Sequence, residues 1–356
     1  MKRLLTLGLA SAIAFSCAPP RAEIDPTLVQ VADRTMRMDL PRWSWDTGVA
    51  VYGLMRAWEK TGDKRYLDFV RDWVDGHIEK GIAVQHVNHV APGLAALMLY
   101  KETREQRYLD VAYQLADYVL NQAPRTGDGG FVLRLSPKGL IHRDDQLWVD
   151  TLFMVAPFMA RLGKATGDDL YYDEAVRQII IYAEHLQDPS TGVFYHAWDQ
   201  SEDSNVSAAF WGRGNGWAAM ACAEVLELLP EDHPQRRQVL DIFTRQIEGL
   251  VTLQDDSGMW HTVVDRPDFY LETSATMAIS YAIRKAVRHR WIAPRYSSAV
   301  DKALEAIKAK VAADGSVQDV SAGTDVQPSI ESYNSIPHED IRAWGQGFYL
   351  LLIVEF

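Results

Sequence analysis

An all-α fold, with about twelve helices paired into six hairpins and closed as an α/α barrel, follows from three features of this 356-residue chain. A short signature recurs as Thr61-Gly62-Asp63-Lys64-Arg65-Tyr66-Leu67-Asp68, as TREQRYLD from Thr103 to Asp110 and as TGDDLYYD from Thr166 to Asp173. Each copy ends an apolar helix and starts an amphipathic one, which is how a repeated helical hairpin is written in sequence. Long segments with helical periodicity dominate, and no sustained two-residue alternation predicts a large sheet.

In order, the apolar helices fall at about 46–60, 91–102, 145–164, 214–229, 272–289 and 340–355. Their amphipathic mates fall at about 65–80, 106–122, 169–186, 234–253 and 295–312. The last apolar helix has no following mate, and the segment at about 26–38 supplies one. Two concentric rings result, apolar helices inside and amphipathic ones outside. Inner-to-outer links are short. Outer-to-inner links are long (123–144, 187–213, 254–271, 313–339), so they gather at the N-terminal end of the inner ring, where a pocket belongs. Gly130-Phe131, Gly192-Val193-Phe194 and Gly258-Met259-Trp260 predict short hairpins along its rim.

An apolar content of 47% suffices for a large core, and no Pro-, Ser- or Gly-rich linker divides the chain, so residues 23–356 read as one domain. The net charge of −12, with no dense basic patch, argues against nucleic acid or an anionic membrane as partner. Residues 1–22, with Lys2 and Arg3 before the apolar run Leu4 to Phe15, read as an export signal, too short to span a bilayer. Ala14-Phe15-Ser16-Cys17 resembles a bacterial lipoprotein box, so the expectation is an exported protein, periplasmic or lipid-anchored through Cys17. Cys222 is the other cysteine; with Cys17 acylated no disulfide forms.

The segment Asp145 to Pro157, DQLWVDTLFMVAP, holds, past its leading Asp145, a single carboxylate, Asp150, set among apolar residues. With a cap at Asp144 or Asp145, Asp150 lies a turn inside the helix, beyond capping reach. Its neighbours at three and four residues, Gln146, Leu147, Phe153 and Met154, should disfavour the ionised form and suit a proton donor. A solvated or paired helical Asp is the plainer alternative, weakened because Leu152, Val155 and Met159 make the opposite face apolar too.

Phe210 to Trp217, FWGRGNGW, has the glycines of a phosphate loop but lacks its Lys and Ser or Thr. Arg213 between Trp211 and Trp217 instead suits a carboxylate beside a sugar ring, the alternative being a glycine turn with core tryptophans. Trp43 and Trp45 offer a further aromatic wall, and His142 and His196 sit in long loops where each can hold a substrate oxygen or simply be solvated. Asn88, just before Pro92, is flanked by His86 and His89, but no third ligand stands at metal spacing and no cofactor motif is present. No GxSxG elbow occurs.

Together DQLWVDTLFM, FWGRGNGW, LETSAT at 271–276 and Trp344-Gly345-Gln346-Gly347 resemble glycoside hydrolase family 105, the unsaturated rhamnogalacturonyl hydrolases, related to the unsaturated glucuronyl hydrolases. The resemblance runs from about Leu40 to Phe356 and implies a six-hairpin α/α barrel. It implies removal of a 4,5-unsaturated uronic acid from the non-reducing end of lyase-generated oligosaccharides, an anionic substrate, without a cofactor. By that analogy Asp150 protonates carbon 4 of the vinyl ether and activates a water for carbon 5, Arg213 holds the uronate, Trp45, Trp211 and Trp217 pack the rings, and His196 binds near the reacting end. Where many relatives carry Asp, this chain has Asn88, which can bind a hydroxyl or orient water but cannot ionise. His142 is placed more loosely relative to Asp150 than in those relatives. A non-catalytic glycan-binding lipoprotein and a sugar epimerase on the same barrel are the rival readings.

Overall fold

The computed structural model describes residues 24–133 and 145–356. The helices run α1 (Pro26–Met36), α2 (Trp45–Thr61), α3 (Lys64–Lys80), α4 (Gly93–Thr103), α5 (Gln106–Asp117), α6 (Thr151–Thr166) and α7 (Asp169–Leu186). They continue as α8 (Gly212–Leu228), α9 (Arg236–Thr252), α10 (Thr273–Arg288), α11 (Ser297–Lys308), α12 (Ile330–Tyr333) and α13 (Ala343–Ile353). Among the described residues the sheet is one antiparallel pair, β1 (Gln146–Trp148) with β2 (Ala197–Asp199). No described helix is long and apolar enough to cross a membrane.

The rings close as the sequence predicts. Helices α2, α4, α6, α8, α10 and α13 each pack on the next, and α13 returns to α2. Outside, α3, α5, α7, α9 and α11 lie on their inner mates, and α1 covers α13. Inner helices are apolar all round because they are enclosed all round: α8 is buried without a break from Gly212 to Leu226. Outer helices bury one stripe, as α5 does through Tyr108, Leu109, Val111, Ala112, Leu115 and Ala116.

Each repeated joint works by the same chemistry. The Thr61, Thr103 and Thr166 hydroxyls accept hydrogen bonds from the amides two residues on, at 3.1, 3.2 and 3.3 Å. Asp63 and Asp168 then cap α3 and α7 through the amides of Arg65 and Leu170, both at 3.0 Å. Tyr66 and Tyr108 plug their joints, both buried; at the third, the signature tyrosine Tyr171 is half-buried and its neighbour Tyr172 is the buried one.

Two expectations change. The apolar run 145–157 is not one helix: residues 146–148 form β1, and α6 begins at Thr151. The glycine–aromatic turns do not line a rim, because Phe131, Phe194 and Trp260 are fully buried. Each turn instead wedges beneath a neighbouring outer helix; at Gly192 (φ +78°) an added Cβ would stand 2.3 Å from the Arg245 carbonyl oxygen of α9. Gln187 seals that turn by donating to the carbonyls of Gly192 and Ile242, each at 2.9 Å.

Closure of the inner ring is a backbone contact. A Cβ on Gly347 would lie 2.5 Å from the Val49 carbonyl oxygen, and one on Gly53 would lie 2.9 Å from the Gly347 oxygen. Toward the C-terminal ends of the inner helices, away from the long loops, Glu224 is wholly buried amid Lys285 (2.7 Å), Arg161 (3.0 Å) and the hydroxyls of Tyr52 and Tyr281. Burial alone would push its carboxyl up, but Lys285, Arg161 and Arg56 outweigh burial and hold it below the ordinary range. Glu224→Leu strands those cations in the core and is expected to lower unfolding free energy by about 3–5 kcal/mol; an unchanged denaturant midpoint would contradict this.

Candidate functional site

The long connections meet at the N-terminal mouth of the inner ring and bond to one another. The Thr273 amide donates to the Asp319 carbonyl (3.2 Å), the Ala322 amide to Pro337 (2.7 Å) and the Tyr270 amide to the Asn334 side chain (3.0 Å). The β1–β2 pair ties the segment before Asp150 to the segment after His196, with the Val149 amide donating to the His196 carbonyl at 3.0 Å.

Asp150 occupies the cap position of α6 with helical backbone angles, yet its carboxylate caps nothing. The sequence argument placed it a turn inside the helix; strand β1 moves the helix start, and the carboxylate stays available for a different reason. Its side chain is 19% exposed, and its Oδ2 is buried without a hydrogen-bond partner among the described residues, 3.4 Å from His196 Nε2. His196 is itself buried and lies against the Trp211 ring (centroids 4.3 Å) and edge-on to Trp148 (5.7 Å). Its Nδ1 stands 2.5 Å from the Tyr333 hydroxyl, so one nitrogen is engaged and the other turns toward Asp150.

FWGRGNGW forms the first turns of α8. Its glycines serve approach rather than phosphate binding: a Cβ on Gly214 would meet Val149 at 2.7 Å, and one on Gly216 would meet Ala278 at 2.6 Å. Val149 adjoins Asp150, so that contact sets the carboxylate against α8. Asn215 clamps Phe194 through both its amide and carbonyl, at 2.8 and 2.9 Å, two residues before His196.

Arg213 departs from the expectation of a free fork. Its terminal nitrogens donate to the Ser321 carbonyl (2.9 Å) and hydroxyl, the Ala322 carbonyl (2.6 Å) and the Thr324 hydroxyl (3.0 Å). Among the described residues only its Nε lacks an acceptor. Burial pulls the guanidinium below its usual value and nearby Arg342 adds to that, against Glu272 and Asp150. Trp211 and Trp217 are buried, the latter between Phe153 (4.9 Å) and Phe348 (4.6 Å). Trp45 keeps partial exposure and packs on Trp217 (6.1 Å) and Trp344 (4.8 Å). Trp43 is a strut instead of a wall: it stacks on Trp73 at 5.3 Å and donates to the His89 carbonyl at 2.9 Å.

Asn88 lies in a 3-10 turn, Val87–His89, packed against α6, its Oδ1 buried without a donor among the described residues. His86 and His89 face each other with ring centroids 4.0 Å apart. Burial first, and then the neighbouring imidazole, draw His86 from 6.5 to about 4. His142, Cys17 and the leader lie outside the described residues. Cys222 is buried in α8, which pushes its thiol up to about 12.

With this geometry in place, comparison with known proteins is direct. The model of glycosyl hydrolase family 88 matches residues 23–356. The chain belongs to that family. Relatives of this family 88 chain include the unsaturated rhamnogalacturonyl hydrolase YesR of Bacillus subtilis, 37% identical over 94% of each chain. Another is an unsaturated 3S-rhamnoglycuronyl hydrolase of an Alteromonas species, 27% identical over 87% of this chain and 76% of that one. A crystal structure of a possible member of the GH105 family from Salmonella enterica superposes with TM-score 0.87 at 30% identity, covering 97% of this chain and 96% of the other. The unsaturated glucuronyl hydrolase of a Bacillus species, at 15% identity and TM-score 0.70, shares the fold.

Sequence reasoning missed Tyr333, Trp148, Asn215 and Arg342 as residues of the mouth. Trp148 and Asn215 stood inside quoted motifs, and an Asn among glycines at a helix start is a signal for side-chain-to-backbone bonding. Tyr333 and Arg342 have no local signature.

Two outcomes are expected here. Arg213→Ala removes its donations to the Ser321 carbonyl and to the Ser321 and Thr324 hydroxyls and leaves the Ala322 carbonyl with the Thr324 hydroxyl alone, so unfolding free energy should fall by about 2–3 kcal/mol; an unaltered melting temperature would show that the loop holds without it. For His86, the unfolded chain takes up a proton near 6.5 and the folded chain only near 4. The stability it contributes is complete above that upper value and drains away as pH falls toward the lower one. His86→Asn should therefore flatten the fall in melting temperature between about pH 7 and 4.5, and an identical slope in both proteins would refute the assignment.

Proposed function

We propose that this chain is a glycoside hydrolase that releases a 4,5-unsaturated uronic acid from the non-reducing end of oligosaccharides left by polysaccharide lyases, with Asp150 as its proton-transfer residue. The observation carrying this reading is the Asp150–His196 pair: a partly buried carboxylate that caps nothing, 3.4 Å from an imidazole whose far nitrogen is already engaged. Family membership and 37% identity to a rhamnogalacturonyl hydrolase support the same reaction class.

The chemistry needs one carboxyl that first gives a proton and then takes one. Protonated Asp150 donates to carbon 4 of the vinyl ether, and positive charge develops on carbon 5 and the ring oxygen. The Asp150 carboxylate then removes a proton from the water whose oxygen adds to carbon 5. The hemiketal collapses by breaking the bond from carbon 5 to the ring oxygen, leaving a keto group at carbon 5. That frees a hydroxyl at carbon 1, whose hemiacetal expels the next sugar as an alcohol. In this reading His196 Nε2 and Asn88 Oδ1, both buried without a hydrogen-bond partner among the described residues, hold a substrate hydroxyl and a water or sugar hydroxyl respectively. This differs from glycosidases in which two carboxylates flank the glycosidic bond.

Asp150→Asn keeps shape and burial but cannot transfer the proton. Turnover of unsaturated rhamnogalacturonan disaccharide, followed as loss of alkene absorbance, is expected to fall by about a thousandfold or more while the melting temperature holds. Normal turnover by Asp150→Asn would end the proposed mechanism, and bond cleavage without alkene loss would point to conventional hydrolysis.

A further inference from the structure

Three N–H donors at the mouth share one state. Arg342 Nε, Trp344 Nε1 and Arg213 Nε are each buried with no acceptor among the described residues. All three lie about one ring, since the guanidinium carbons of Arg213 and Arg342 are 5.7 and 5.8 Å from the Trp344 centroid. A buried donor left unpaired costs free energy, and three together describe a place shaped for oxygen acceptors.

The chain is acidic overall, at −12, and two guanidiniums lie here; Glu272 and Asp150 are the nearby carboxylates, and both act on Arg213 more strongly than Arg342 does. Arg213 has committed its terminal nitrogens to residues 321–324, whereas Arg342 gives its Nη2 to Asp340 at 3.0 Å. Asp340 is 77% exposed, and an ion pair so solvated is weak, little to set against a ligand carboxylate. Trp344 packs at a tilt on Trp45, the tryptophan of the mouth that retains exposure, which places its N–H beside a surface suited to a sugar face.

We propose that Arg342, with the indole N–H of Trp344 and Nε of Arg213, is the recognition point for the uronate carboxylate, and that Arg342 sets the preference for an acidic over an esterified terminal sugar. This rests on the hydrolase reading above. Arg342 is a substrate-binding residue in this scheme, and Asp340 is the counterion it releases.

The test compares an unsaturated rhamnogalacturonan disaccharide with its methyl ester on wild type, Arg342→Gln, Arg342→Lys and Trp344→Phe. Wild type should favour the acid. Arg342→Gln should raise KM for the acid about tenfold or more, leave kcat within about threefold and remove the acid-over-ester preference, with Arg342→Lys restoring part of it. Trp344→Phe keeps the ring, loses the N–H and should show a smaller rise in KM; it carries the same comparison should Arg342→Gln fail to fold. An unchanged KM and an intact ester preference in folded Arg342→Gln would overturn the proposal. Absence of turnover by wild type would instead defeat the hydrolase reading, and calorimetric binding of the same disaccharide to wild type and Arg342→Gln would still decide Arg342: equal affinity overturns it.

Discussion

Val49 in α2 and Gly347 in α13 meet backbone to backbone, and on that contact the barrel depends. Six inner helices buried on every side can form a ring only if the first and last approach as closely as the others. Side chains at Gly53 and Gly347 would hold them apart. Because the helices are drawn together there, their N-terminal ends bring Trp45 onto Trp344 and Arg342 toward Arg213. The mouth is thus assembled from the beginning and the end of the inner ring, while Asp150, His196 and Trp211 come from its middle.

The two ends of the barrel solve different electrostatic problems. Around Glu224 every buried charge has partners of the opposite sign, and that end is closed. At the mouth the polar groups are left incomplete: Asp150 Oδ2, His196 Nε2, Asn88 Oδ1 and three N–H donors lack partners among the described residues. Arg56 Nε and Arg161 Nε are also without a hydrogen-bond partner around Glu224, but there each guanidinium has a carboxylate beside it; at the mouth Asp150 Oδ2 and Asn88 Oδ1 have no donor among the described residues, a cost a folded protein tolerates where a ligand can meet it.

What the sequence made legible follows the range of the interactions involved. The Thr61, Thr103 and Thr166 joints are local hydrogen-bonding devices, and they revealed the hairpins and the phase of both rings. Asp150 stood out because a carboxylate inside DQLWVDTLFMVAP conflicts with its apolar surroundings. Strand β1 was hidden in the same segment, since residues 146–148 become a strand only by pairing with 197–199, and an apolar run does not announce a distant partner. Arg213 was found, but the acceptors that occupy it lie in 321–324. Tyr333 and Arg342 matter through what they face across the mouth, which no periodicity records.

The Val49–Gly347 contact also bears on how the molecule is made. Successive hairpins are local, so five-sixths of the double ring can grow by adding neighbours. The closing contact joins segments far apart in the chain, and its loop-closure entropy must be met before any of its contacts are gained. Until α13 docks, α2 and α10 expose apolar flanks and the mouth lacks Trp344 and Arg342. The contact that closes the ring also completes the site, so activity during refolding is expected to follow ring closure rather than helix formation.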